Sequence, residues 1–284
     1  MTDTPWQRDA CSLVDAFRSH ERSPAEELEA TLAAVAHSNL NAFSFLDDER
    51  SLLATAAGAN TELPFGGVPI GVKELDHVAG WPNSSASVPL KDRIANHTST
   101  MVGRLGEKGG AIRIGLTTAS EFGGVNFTRT ALNGVTRNPW NTARTPGGSS
   151  GGTAAAVSGG LLTLGTAGDG GGSIRIPAGF CGLFGLKVTR GRIPRGPRAE
   201  LGNFTTVIGT CSRSVRDTAR WLDVTNGFDP RDPFSLPREQ GWEKALGTLG
   251  DSLRGKRVAV VDDWGGAAVA ELRSGHGDQR TPAR

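Results

Sequence analysis

Thr145–Pro177, TPGGSSGGTAAAVSGGLLTLGTAGDGGGSIRIP, is the stretch of this 284-residue chain that says most about its fold. The stretch holds two Gly/Ser clusters, 147–152 and 170–173, separated by a small-residue helix pattern and a short apolar run. Glycine permits backbone angles that other residues avoid and lets another molecule approach the backbone closely. A serine hydroxyl becomes a nucleophile once a base takes its proton. The stretch therefore indicates a helix and a strand that carry a site of backbone amides and hydroxyls.

The composition is that of an ordinary globular protein. Lys plus Arg number 31 and Asp plus Glu number 29, and this net charge of +2 requires neither a nucleic-acid nor a membrane partner. The length suits one large domain as well as two. We therefore expect no nucleic-acid partner, and the sequence leaves a homodimer open.

The cysteines and the N-terminus indicate the cellular compartment in which the protein is expected. Cys11, Cys181 and Cys211 form no CxxC motif and have no histidine at zinc spacing, so we expect buried free thiols and no metal site. The N-terminus lacks the basic and apolar regions of a signal peptide, and no run of about 18 apolar residues occurs. These features predict a cytoplasmic protein without a membrane partner.

Strands alternate with helices along the chain, which predicts an α/β fold with helices on both faces of a sheet. Ser23 and Pro24 mark the start of a helix that we expect to reach His37. The apolar run 65–72 predicts a buried strand that places Lys73 at its end, where such folds locate chemistry. The other predicted strands are 42–47, 111–117, 161–167 and 206–212, and the other predicted helices are 49–59, 98–108, 149–159 and 214–225.

The basic, acid-free run 170–199 has the composition of loops around a site. From Gly255, GKRVAVVDDW predicts one more strand. Beyond Leu272 no large apolar residue follows, so we expect residues 265–284 to form a disordered tail.

The Gly/Ser clusters do not match most of the common motifs of functional sites. No Gly-x-x-x-x-Gly-Lys-Ser/Thr and no Gly-x-Gly-x-x-Gly at the start of a helix is present, which argues against nucleotide binding. The run 147–151 matches the Gly-x-Ser-x-Gly elbow of α/β-hydrolases, which would make Ser149 the nucleophile. That fold needs a downstream histidine, and only His276 follows. Lysine is the remaining base, and Lys73 at its strand end is the candidate, since burial would favour its neutral amine.

The chain resembles the amidase signature family in three motifs that follow one another in the family's order. They are the run 67–74, the cluster 147–153, and the run 168–178 with its continuation to Lys187. The similarity covers Pro64 to Arg192 closely. The resemblance implies a central mixed β-sheet covered by helices on both faces. It also implies a domain over 1–264, with N-terminal helices over 1–62, a signature core over 63–225 and an incomplete C-terminal part over 226–264. Because family members are longer, we expect a C-terminally truncated fold.

The same resemblance implies the roles of the site residues. Ser173 would be the acyl-accepting nucleophile, Ser149 would follow a cis peptide bond and relay the proton, and Lys73 would be the final base. Backbone N–H groups of Gly170, Gly171, Gly172 and Ser173 would form the oxyanion hole. Asp169 and Arg175 would pair and support the loop. We expect Ser150 to cap the following helix. No metal and no organic cofactor is implied.

Three functions fit this interpretation. The first is an amidase with a small-molecule amide substrate, which hydrolyses a carboxylic acid amide to the acid and ammonia or an amine through a serine acyl-enzyme. The second is the glutaminase subunit of a tRNA-dependent amidotransferase, in which the basic run Lys187–Arg198 would face a partner or tRNA phosphates. The third is an inactive, truncated amidase-like fragment.

Overall fold

A computed structural model describes residues 4–198, 204–248 and 250–257. It divides into two units, Met1–Leu246 and Gly247–Arg284. The helices of the first unit are α1 (Ala10–Arg18), α2 (Pro24–His37), α3 (Glu49–Ala57), α4 (Thr100–Glu107), α5 (Gly151–Ser158), α6 (Arg175–Cys181) and α7 (Val215–Thr225). Its strands are β1 (Phe43–Leu46), β2 (Pro69–Lys73), β3 (Ile112–Thr117), β4 (Arg129–Thr130), β5 (Gly134–Val135), β6 (Leu164–Asp169), β7 (Phe184–Gly185) and β8 (Val207–Ser212).

Six of these strands form one mixed sheet in the order β1-β3-β2-β6-β8-β7. The three middle strands β3, β2 and β6 run parallel to one another, and β1, β8 and β7 pair antiparallel with their neighbours. The remaining two strands, β4 and β5, form a separate antiparallel pair. The carboxyl ends of β2 and β6 lie side by side, since Gly71 pairs with Gly165. This register brings Lys73 close to the loop that follows β6.

Local sequence explains why the predicted elements form. Ser23 and Glu26 make a reciprocal capping box at the start of α2, which satisfies backbone N–H groups that a helix leaves unpaired. All five residues of β2 are buried, as expected of a central parallel strand that reads as a continuous apolar run.

Helices cover the sheet with two apolar clusters. One cluster joins α1, α4 and α7 to Ile70 of β2 and Leu164 of β6. The other joins α2, α3 and α5 to Ile112 and Ile114 of β3. The predicted α/β fold, a central mixed sheet with helices on both faces, is therefore confirmed. Cys11, Cys181 and Cys211 are buried free thiols, as predicted.

Two helices of the structure are missing from the prediction. Helix α1 carries buried residues at 10, 13, 14 and 17, a helical spacing that the sequence displayed. Helix α6 lies within the basic run, and the expectation that this run forms only loops is wrong there. The sequence does not predict α6 because it contains Pro177 and Gly179, and both residue types are unfavourable inside a helix.

The second unit is described only in part, and its described portion contains a short 3-10 helix at Gly250–Leu253. The strand predicted from Gly255, the tail over 265–284 and the boundary at 264 lie outside the described residues. Among the residues that the structure describes, no helix has the length and apolar character needed to cross a bilayer.

Candidate active site

Lys73 ends the central strand β2 and is 3 % exposed. Its Nζ lies 2.7 Å from Ser149 Oγ and 2.8 Å from Ser150 Oγ. Burial disfavours the charged ammonium and lowers the pKa of Lys73 to about 8, although the nearby carboxylate of Asp76 acts in the opposite direction. Near neutral pH a usable fraction of this amine is therefore neutral and able to accept a proton.

The two serines beside Lys73 belong to the loop that leads into α5. The peptide bond between Gly148 and Ser149 is cis. The expected capping role of Ser150 is wrong, because its side chain makes no cap hydrogen bond at α5. Its hydroxyl instead contacts Lys73 Nζ and accepts a hydrogen bond from the N–H of Gly168 at 3.2 Å. Ser150 therefore ties the lysine to the end of β6.

Ser173 lies in the loop between β6 and α6, and its carbonyl accepts a hydrogen bond from Ser150 N at 3.3 Å. This bond holds the two Gly/Ser clusters together. Gly170, Gly171, Ser149 and Ser173 all line one cavity. Gly172 differs from the expectation, because its N–H donates to Asp169 Oδ1 at 2.8 Å and is thus engaged within the loop.

Asp169 organises this loop from its centre. Its side chain is fully buried, and Arg175 Nε and Lys187 Nζ lie 2.9 Å and 2.8 Å from its carboxylate oxygens. Burial opposes the charge of Asp169, but hydrogen bonds from Arg175, Lys187 and Gly172 outweigh it and hold the pKa of this carboxyl well below its usual range. The expected Asp169–Arg175 pair is present. Sequence reasoning missed Lys187 as the second cation, although it stands in the third motif.

Hydrogen bonds also hold the backbone of Lys73 and its neighbour Glu74. The backbone N–H of Lys73 donates to Thr166 Oγ1 at 2.7 Å, and Thr166 Oγ1 donates to Asp76 Oδ2 at 2.6 Å. The neighbouring Glu74 is 2 % exposed and accepts from Asn133 Nδ2 at 2.8 Å. These contacts fix the end of β2 and with it the root of the lysine side chain.

The cavity above Lys73 has a volume of about 480 Å³, within the range of small-molecule sites. Arg195 and Arg198 of the basic run also line it, as expected of loops around the site. Five further lining residues were not selected from the sequence: Asp76, His77, Arg93, His97 and Phe122. They come from loops, whose contacts a single sequence does not reveal. In the described ranges, no group of three or more His, Cys, Asp or Glu side chains is placed to hold a metal ion.

Known proteins are similar to this chain in sequence. The profile of the family described as Amidase matches residues 26–272. A glutamyl-tRNA(Gln) amidotransferase subunit of Methylacidiphilum infernorum (isolate V4) is 42% identical over 217 residues, which are 76% of this chain and 44% of the relative. The corresponding subunit of Bordetella avium (strain 197N) is 34% identical over 282 residues, 92% of this chain and 55% of the relative. The chain thus spans about half the length of the curated relatives it matches.

Solved structures share the fold as well. A 6-aminohexanoate cyclic dimer hydrolase superposes with a TM-score of 0.77 at 36% identity, over 82% of this chain and 49% of that protein. A bacterial aryl acylamidase of the amidase signature family superposes with a TM-score of 0.77 at 30% identity, over 85% of this chain and 52% of that protein. With the family profile matching most of its length, the chain belongs to the amidase signature family.

Proposed function

We propose that this chain hydrolyses a carboxylic acid amide through an acyl-enzyme on Ser173, with Ser149 as proton relay and Lys73 as base. The observation that carries the proposal is the buried Lys73 amine, 2.7 Å from Ser149 Oγ. A base that works near neutral pH needs a pKa close to it, and burial moves the pKa of Lys73 in that direction.

The proposed proton path runs from Ser173 through Ser149 to Lys73, and its support is the Lys73–Ser149 contact and the position of both serines on one cavity. Ser173 Oγ attacks the amide carbon while its proton passes to Ser149 Oγ, and the proton of Ser149 passes to the lone pair of Lys73 Nζ. The C–N bond then breaks as the leaving nitrogen takes a proton back through Ser149. Water attacks the acyl-enzyme by the reverse route, releases the acid and restores the hydroxyl of Ser173.

Backbone amides would stabilise the oxyanion that forms on the substrate carbonyl. Gly170, Gly171 and Ser173 line the cavity and supply these N–H groups, whereas the N–H of Gly172 is already bound to Asp169. One such donor contributes about 3 kcal/mol to the transition state in serine hydrolases. The buried carboxylate of Asp169 keeps the loop in this shape.

Labelling with a fluorophosphonate probe tests the nucleophile. The unmodified protein should react, and Ser173→Ala should not, while Ser51→Ala, which changes an exposed serine on α3, serves as the matched control and should label normally. Undiminished labelling of Ser173→Ala would exclude Ser173 as the nucleophile. An unreactive wild-type chain with a broad, non-cooperative thermal transition would favour the inactive fragment instead.

The names of the curated relatives favour glutamine as the amide. Relatives named as glutamyl-tRNA(Gln) amidotransferase subunits are 34% to 42% identical to this chain. In this second candidate function, Ser173 would attack the glutamine side-chain amide and release ammonia to a partner protein. The test is ammonia release from glutamine, with and without the other amidotransferase subunits. No release under either condition would exclude it.

A further inference from the structure

Three arginines line the cavity that contains Ser173: Arg93, Arg195 and Arg198. None of the three forms an ion pair with any residue in the described part of the chain. Arg93 Nε donates to the carbonyl of Asn83 at 2.9 Å, a hydrogen bond that uses one of the five N–H groups of its guanidinium.

The two acidic residues that line the cavity, Asp76 and Asp169, do not neutralise the positive charge of these arginines. Asp169 is held by Arg175 and Lys187, which lie outside the cavity lining. Asp76 accepts the hydroxyl hydrogen of Thr166 and faces the positive charges of Lys73 and Arg195. Arg93 and Arg198 therefore keep a positive charge at the cavity that no described side chain compensates.

Hydrogen bonds hold the basic segments next to each other. Thr100 N donates to the carbonyl of Gly196 at 2.8 Å, which joins the loop carrying Arg195 to the start of α4. On the adjoining segment, His77 Nδ1 and His97 Nε2 lie 2.8 Å apart. All three arginines therefore line the same cavity as Ser173 and the glycines of its loop.

We propose that the amide substrate carries a carboxylate at its far end, which Arg93, Arg195 and Arg198 bind while the amide lies at Ser173. Guanidinium groups match carboxylates in shape as well as in charge. Monoamides of short dicarboxylic acids have this chemistry. Among the described residues of the wall, both acids are already engaged and none is available for an ammonium group. Glutaramate, which is glutamine without its amino group, should therefore be preferred over L-glutamine.

The inference rests on the proposed hydrolase function, and initial rates test it directly. Glutaramate should be hydrolysed with a kcat/KM at least about tenfold above pentanamide and above L-glutamine, the effect of about one charge-assisted contact. Arg93→Gln and Arg198→Gln should each lower the ratio of the glutaramate rate to the pentanamide rate. Both residues are exposed, so the fold should tolerate the changes. Lys91→Gln, which changes an exposed cation outside the lining, is the matched control and should keep the ratio.

Binding to the Ser173→Ala protein separates this inference from the catalytic proposal. Titration calorimetry should show glutaramate and glutarate binding, with pentanamide and inorganic phosphate at least about tenfold weaker. Preferred binding of glutaramate by Ser173→Ala, together with a wild-type chain that hydrolyses no amide, would support the carboxylate site and refute the catalytic proposal. Hydrolysis of pentanamide as fast as glutaramate, or phosphate binding as tight as glutarate, would overturn the carboxylate site. Hydrolysis of L-glutamine as fast as glutaramate would overturn the predicted discrimination against an ammonium group.

Discussion

Replacing Asp169 with asparagine tests how the catalytic loop is held. The change keeps the size of the side chain and removes its charge. In the native loop, Oδ1 accepts hydrogen bonds from Gly172 N, Lys187 Nζ and Arg175 Nη2. Oδ2 accepts from Arg175 Nε and, at longer distances, from the backbone N–H groups of Ile174 and Arg175. An asparagine oxygen can still take the place of Oδ1. Its NH₂ group would then face Arg175 Nε and the backbone N–H groups of Ile174 and Arg175, donor against donor, and these hydrogen bonds are lost.

The magnitude follows from the burial of each partner. A hydrogen bond to a charged group contributes about 1.5–3 kcal/mol, and removing one partner of a buried pair costs about 3–5 kcal/mol. Asp169 is fully buried, but the side chain of Arg175 is 51% exposed and can turn into water. We therefore expect the lower end, a loss of about 3 kcal/mol in the free energy of unfolding.

The pH dependence of this loss has a definite sign. Because the folded pKa of Asp169 lies below its ordinary value, the unfolded chain binds the proton first as the pH falls. The stabilisation by the carboxylate is thus complete at neutral pH and declines below about pH 4. The Asp169→Asn protein has no proton to bind at this position. The difference between the two proteins should therefore be constant from about pH 5 to 7 and should shrink in more acidic solution.

Urea denaturation monitored by tryptophan fluorescence measures the effect, since Trp221 is buried and reports on the core. A slope of about 3 kcal/mol per molar urea converts the loss to a midpoint lower by about 1 M. Asp92→Asn removes the same charge from an exposed site and should leave the midpoint in place. An Asp169→Asn protein within about 0.5 kcal/mol of wild type, or a difference that grows on acidification, would contradict this account of the loop.

Two further predictions concern the base and the glycine loop. The kcat/KM for amide hydrolysis should rise about tenfold per pH unit below pH 8 and level off above it. The reason is that burial lowers the pKa of Lys73 to about 8 and only the neutral amine accepts a proton. A flat profile between about pH 6 and 9 would count against Lys73 as the base. Gly172→Ala should lower the free energy of unfolding by about 1–3 kcal/mol, because Gly172 has φ +119° and an added Cβ would lie 2.6 Å from Ile176 Cδ1. Chemical denaturation measures this loss, and Gly171→Ala, whose added Cβ meets nothing within 4 Å, is the control and should unfold like wild type.

Local signals predicted many elements of the fold. The Ser23 cap marked the start of α2, and the apolar run before Lys73 marked β2, because capping and burial act on neighbouring residues. The same local logic failed for Ser150. Its position before α5 suggested a cap, whereas its hydroxyl binds the amine of Lys73, 77 positions away in the chain. The lack of a usable downstream histidine had made Lys73 the candidate base for Ser149, and the resemblance to the family added Ser173 as the nucleophile.

Sequence alone was sufficient to assign the family and the alternation of strands and helices, and to propose the serines and the lysine of the candidate site. The three-dimensional arrangement was needed to see which groups in that site are already engaged: Gly172 N–H is bound to Asp169, Lys187 joins Arg175 on the same carboxylate, and three arginines line one cavity. Motifs and periodicity report contacts within a few residues of the chain. Distances across a cavity depend instead on how the strands of the sheet and the loops at their ends pack together.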